Sequence, residues 1–119
     1  MSYKTKIENY RNSTGLLLTK YTQGCVKITK GEGRLHAITK TDVTLWLLNN
    51  DFKVFTEATL KGIRGRVDIF AIDSVGNPYI LEIVSSEKED SLEHKRKMYP
   101  QIPIIPIYCK DFDINKFKL

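Results

Sequence analysis

Asp68 and Glu82 are the residues through which chemistry would enter this chain. Each is a carboxylate among apolar neighbours, in Val67-Asp68-Ile69-Phe70-Ala71-Ile72 and in Tyr79-Ile80-Leu81-Glu82-Ile83-Val84. An ionised carboxylate in a segment built for burial is costly unless it is paired or bound to a cation. The two runs are joined by Asp73-Ser74-Val75-Gly76-Asn77-Pro78, a link short enough to imply an antiparallel hairpin. Strand side chains alternate, so Glu82 shares a face with Val84 while Leu81 and Ile83 take the other. Asp68 could then sit opposite Glu82, roughly 4.5–5.5 Å away, or diagonal to it. Two ionised carboxylates that close repel each other. A divalent cation resolves the conflict, and an oxygen-rich set selects Mg²⁺, Mn²⁺ or Ca²⁺. Bound Mg²⁺ takes one or two carboxylates and leaves room for a substrate phosphate. It can polarise a phosphodiester and acidify a bound water. Glu57, one run earlier, is the third carboxylate to explain.

The elements that must position these groups are legible in outline. From Arg34 to Asn50, Leu35, Ile38, Val43, Trp46 and Leu47 match one face of a helix. Asn49-Asn50-Asp51 is its stop. Phe52–Ala58 alternates as a strand, Arg66–Ile72 is a second and Tyr79–Ser85 a third. The charged stretch 86–99 is helix-compatible and is ended by Pro100. A last strand fits Ile104–Cys109, with Pro106 where no N–H is needed. A helix crossing to a final strand makes that strand parallel to its neighbour. The expected fold class is therefore α/β, a small mixed central sheet flanked by helices. Residues 1–31 read as an N-terminal extension and 32–109 as the core of one domain. Within the extension, 1–15 could form a short helix. Leu16–Leu18 and Cys25–Ile28 could be strands, or Leu16–Tyr21 could continue the helix.

The length, 119 residues, suits one core without metal or disulfide staples. No apolar run approaches membrane-spanning length. The N-terminus lacks the apolar region of a signal peptide, so an intracellular, cytoplasmic protein is expected (in a host cell's cytoplasm, for a viral chain). Cys25 and Cys109 lack metal-site spacing and read as two reduced, mostly buried thiols. The net charge of +5 favours a polyanionic partner, although the lysines are scattered.

The order helix, three strands, helix, strand, with Asp68 on the second strand and Glu82 on the third, resembles the PD-(D/E)XK, or restriction-endonuclease-like, nucleases. The resemblance covers Glu32 to about Cys109. It implies an α-β-β-β-α-β core and a Mg²⁺- or Mn²⁺-dependent endonuclease that hydrolyses phosphodiester bonds in DNA. Arg64-Gly65-Arg66-Val67-Asp68 looks like the segment holding the metal-binding Asp. Glu82-Ile83-Val84 looks like the Glu-x-Lys strand, and Glu57 resembles an additional acidic ligand of some branches. Glu32 and His36 resemble the helix-borne site members of Holliday-junction-resolvase-like and competence-associated nuclease-like branches. The resolvase-like branches also imply a homodimer. Val84 departs from the pattern, because it stands where the family has the lysine that positions or activates water. Lys88 is the nearest substitute catalytic group, with Lys95 behind it. Arg64, Arg66, Lys95, Arg96 and Tyr99 are the candidate nucleic-acid contacts.

Plainer readings stand beside these. Asp68 could pair with Arg64 or Arg66, and Glu82 could form a structural salt bridge. Glu57 could be a solvated edge residue, and Ser85 and Ser86 could cap the second helix. A degenerate nuclease fold that binds nucleic acid or a protein without cutting is the alternative that Val84 favours. A winged helix with Thr41–Asn50 in the groove is disfavoured, since Leu45-Trp46-Leu47-Leu48 is too apolar and phosphate contacts need basic groups.

Overall fold

The computed structural model describes residues 24–60, 66–85, 93, 96–97 and 102–119, and the strand pairing of 16–17; at 16–17, 59–60 and 66 only the backbone is described. The fold is α/β. A helix, α1 (Arg34–Asn49), lies against a mixed sheet of β1 (Leu16–Leu17), β2 (Lys53–Leu60), β3 (Arg66–Ile72), β4 (Pro78–Val84) and β5 (Ile104–Tyr108). The strands are ordered β1-β2-β3-β4-β5. Pairing is antiparallel from β1 to β4 and parallel between β4 and β5. Pro106 sits on the edge strand opposite Glu82, where its missing N–H breaks no interior ladder. The expected second helix falls largely outside the described residues. Glu93, Arg96 and Lys97 within it are helical and exposed.

The sheet carries one apolar cluster on each face. Val54, Ile69, Ala71, Leu81, Ile83 and Ile107 pack with Val43 and Leu47 of α1. Phe55, Ala58, Val67, Phe70, Ile72, Ile80 and Ile104 form the cluster of the other face, joined by Val84. Beyond β5, Phe112 and Phe117 fold back on the helix side, where Phe117 meets Trp46 edge-on at 4.8 Å.

The core-facing stripe of α1 differs from the expected one. Leu35 and Ile38 are 53% and 43% exposed, and the buried helix residues are Thr39, Lys40, Val43, Thr44 and Leu47. The polar members can be buried because their polar groups are satisfied. Thr39 and Thr44 donate to the carbonyls of Leu35 and Lys40, each at 2.8 Å, and the Lys40 ammonium is fully partnered. The predicted stop holds. Asp51 adopts φ 64°, its N–H reaches the Leu48 carbonyl, and the Phe52 N–H reaches that of Leu47. This is the Schellman arrangement.

Segment 25–28 is not a strand. It is pinned to β2 by Thr56, whose hydroxyl accepts from Lys27 N–H and donates to the Cys25 carbonyl. Cys25 is exposed, contrary to the expectation of two buried thiols, because this segment flanks the sheet; Cys109 is buried.

Candidate functional site

Regular alternation would put Glu57 with Phe55 and Asp68 with Phe70, on the face away from α1. Both strands break that rule at the same level. Phe55 and Ala58 share one cluster, as do Val67 and Phe70. One residue on each strand has therefore been turned to the other side. In β2 it is Glu57, which takes a left-handed φ of 53°. In β3 it is Asp68. The ladder register is unchanged on either side, Thr56 facing Ile69 and Ala58 facing Val67. Both carboxylates are thus delivered to the side of α1, where the first turn of the helix brings His36 and the turn just before it brings Glu32.

The four side chains form one connected set around Lys40. The Lys40 ammonium lies 2.8 Å from Glu32 Oε1 and 3.2 Å from Glu57 Oε1, and it donates to the Lys27 carbonyl at 2.6 Å. His36 Nδ1 binds Glu32 Oε1, and its Nε2 stands 3.5 Å from Asp68 Oδ2. Asp68 Oδ2 also accepts the Ile83 N–H at 2.8 Å, the peptide that joins Glu82 to Ile83. Glu32 Oε2 accepts from the Thr29 N–H at 3.0 Å. Burial pushes the Glu32 carboxyl up, but hydrogen bonds from Lys40, Thr29 and His36 and the charge of Lys40 outweigh it and hold the group at about 2.

A cavity of about 390 Å³ opens at this set, lined by Thr29, Lys30, Gly31, Glu32, Gly33, His36, Glu57, Asp68 and Ser85. Asp68 and His36 reach it as half-open groups, 17% and 18% exposed, whereas Lys40 is 0% exposed. Glu82 is buried, and alternation with Ile80 and Val84 places it on the face away from α1. Its backbone adjoins Asp68; its side chain is not among those lining the cavity. Among the described residues, no three His, Cys, Asp or Glu side chains are arranged as a metal site.

Of the other sequence candidates, Arg64, Lys88, Lys95 and Tyr99 lie outside the described residues, as does the Arg66 side chain. Arg96 is exposed and pairs with Glu93 at 2.7 Å. The residue that sequence reasoning missed is Lys40. Its signal was available, because Glu32, His36 and Lys40 recur at four-residue spacing, the last two on one helix face, and Lys40 adjoins the stripe of Val43 and Leu47.

A family model described as Competence protein CoiA, nuclease-like domain, matches residues 32–116. The chain belongs to this nuclease-like family. No curated protein and no solved structure gives a significant match. The family match begins at Glu32, the first residue of the ionic set, and takes in His36, Lys40, Glu57, Asp68 and Glu82.

Proposed function

We propose that this nuclease-like domain hydrolyses phosphodiester bonds in DNA with a divalent metal, in the manner of the PD-(D/E)XK enzymes it resembles. The observation that carries this reading is the placement of Asp68. Its carboxylate leaves the alternation of its strand and reaches a cavity beside His36, at the level of Glu82. The carboxylate oxygens are hard donors that suit Mg²⁺ or Mn²⁺ in kind, whereas the imidazole is a borderline donor more at home on a transition metal. Asp68 would be the central ligand, with Glu57 as the further candidate; Glu82, expected from the sequence as a ligand, has its side chain on the other face of the sheet and outside the cavity. When bound, the metal would polarise the phosphodiester and acidify a water.

The protein's own residues have distinct parts in this reading. Asp68 keeps a fixed direction because Oδ2 is tied to the Ile83 N–H. Glu57 is held by Lys40, which offsets its charge and makes it the weaker ligand of the two. Lys30 and the 29–33 loop line the mouth of the cavity, where a phosphate would approach. The basic residues of 86–99 would hold the backbone at a distance from the reacting group.

Cleavage of plasmid, single-stranded and branched DNA in Mg²⁺ or Mn²⁺ tests the proposal. Wild type should cut, and Asp68→Ala should lose at least about 100-fold in rate, the scale expected when electrostatic stabilisation is removed. Activity that survives Asp68→Ala sinks the assignment.

One observation favours the non-cleaving alternative. Val84 is half-buried against the Phe55–Phe70–Ile80 cluster, so the position of the missing lysine is occupied by core packing. A module of this kind would bind DNA yet show no carboxylate-dependent uptake of Mn²⁺ in calorimetry.

A further inference from the structure

Charges around the cavity are sorted by depth. The carboxylates face inward: the side chains of Glu32, Glu57 and Asp68 are 5%, 9% and 17% exposed, and Lys40 among them is fully buried. The exposed charges beside them have the other sign. From residue 24 to residue 38 they are those of Lys27, Lys30 and Arg34, all basic. Among the described residues, none of these three forms an ion pair. The chain from 27 to 34 thus shows cations to solvent and backs onto an acidic interior.

The backbone that carries these cations is held in place. The Lys27 N–H donates to Thr56 Oγ1 at 2.9 Å, and the Lys27 carbonyl accepts from Lys40 Nζ at 2.6 Å. The main chain of Lys27 is therefore tied inside while its side chain is exposed. Residues 29–32 form a turn, closed by the Glu32 N–H on the Thr29 carbonyl at 3.1 Å, with Gly31 at φ 86° in its third position. Lys30 stands at the corner of that turn and lines the mouth of the cavity, as does Gly33. Arg34 follows as the first residue of α1. Such a rim is what a polyanion needs in order to approach. Three carboxylates against one ammonium leave the interior negative, and that field repels a phosphodiester. Exposed cations at the rim attract it and displace its counterions. Contacts of this kind hold a strand without reading its bases.

We propose that Lys27, Lys30 and Arg34 form one phosphate-binding rim, which grips the sugar–phosphate backbone of a nucleic-acid strand at the mouth of the cavity. This rests on the nuclease reading only for the fate of the strand; the grip itself is a matter of binding.

The test is fluorescence anisotropy of the full chain across a salt series, with a labelled DNA duplex and a labelled single strand. Divalent metal is left out, so that binding is read apart from cleavage. The triple variant Lys27→Gln, Lys30→Gln, Arg34→Gln should flatten the log–log salt slope by about 0.9 per lost contact on the duplex and about 0.7 on the single strand. The charge-conserving triple Lys27→Arg, Lys30→Arg, Arg34→Lys should keep the wild-type slope. Lys116→Gln with Lys118→Gln is the control. These exposed lysines flank Phe117, which packs on Trp46, about 18 Å along α1 from Arg34. Their loss should leave the slope unchanged. All the substituted side chains are exposed, so each variant should keep the wild-type unfolding midpoint. A glutamine triple with the wild-type slope overturns the proposal. So does a control that flattens the slope as much per charge, because net charge alone would then explain the effect. A wild-type chain that binds neither probe at low salt overturns it as well. A chain that binds through this rim and cuts nothing sinks the nuclease reading and leaves the rim standing. A chain that cuts in dependence on Asp68, with an unchanged slope in the glutamine triple, sinks the rim alone.

Discussion

Glu32 shows how far a side chain's neighbours can override its own preferences. Burial favours its neutral form, yet Lys40, Thr29 and His36 bring it down from 4.5 to about 2. The unfolded chain lacks those partners, so between pH 4.5 and about 2 it takes up a proton that the folded chain does not. Stability from this group is therefore complete above pH 4.5 and is lost as pH falls toward 2. The span corresponds to stability on the order of 3 kcal/mol. Acid titration of denaturant-induced unfolding should show wild type losing stability through that window, and Glu32→Gln should flatten the slope there. An identical acid profile for the two proteins would mean that Glu32 is no better stabilised folded than unfolded. Lys40 itself is sensitive at this scale. Removing one member of a buried ion pair typically costs about 3–5 kcal/mol, so Lys40→Met alone should have a clearly lower unfolding midpoint than wild type.

Among the elements, the β3–β4 hairpin is the frame on which Asp68 depends. Its turn is organised by Asp73, whose carboxylate accepts from the N–H groups of Val75 and Asn77, the Asn77 amide and the Tyr79 hydroxyl. Burial pushes the Asp73 carboxyl up, but those hydrogen bonds prevail and hold it below the usual range. Burial, with the charge of Asp73, raises Tyr79 in turn. Gly76 has φ 94°, which a Cβ resists. Asp73→Ala and Gly76→Ala should each lower stability by about 1–2 kcal/mol. This should appear as a lower urea midpoint with an unchanged m value. The strands themselves were legible because β-branched and aromatic runs bounded by turn residues have few other readings. Strand β3 was predicted over the residues it occupies, and β4 is displaced by one. The helix was found, but its buried face was misread. Leu35, Ile38, Leu45 and Leu48 stay exposed while Thr39, Lys40 and Thr44 go inside. A hydrophobicity pattern cannot register that a lysine's charge will be met by two carboxylates and a carbonyl from other parts of the chain.

For the molecule as a whole, the net charge of +5 bears on the proposed partner. Binding to DNA through phosphates releases counterions, so the affinity should fall linearly in log–log form as salt rises, by roughly 0.9 per phosphate neutralised. Fluorescence anisotropy with unrelated duplexes from 50 to 300 mM salt, roughly the range in which this effect is large, would give the slope. A flat response would remove phosphate contact from the binding reading. No described helix is long and apolar enough to cross a membrane.

Read alone, the sequence determined the α/β class, the hairpin, the parallel last strand and the presence of carboxylates at Asp68, Glu82, Glu57 and Glu32. These follow from local patterns: periodicity, turn chemistry and the cost of charge in apolar runs. Only the tertiary structure decided which of those groups meet. Alternation suggested Asp68 with Glu82. The paired distortion at Glu57 and Asp68 instead turns both toward α1, where His36 and Lys40 lie. The cause is not local to either strand. A left-handed residue within a strand is unfavourable by about 1–3 kcal/mol, and it persists here where its carboxylate meets the buried ammonium of Lys40, which is carried by helix α1 and also held by the Lys27 carbonyl.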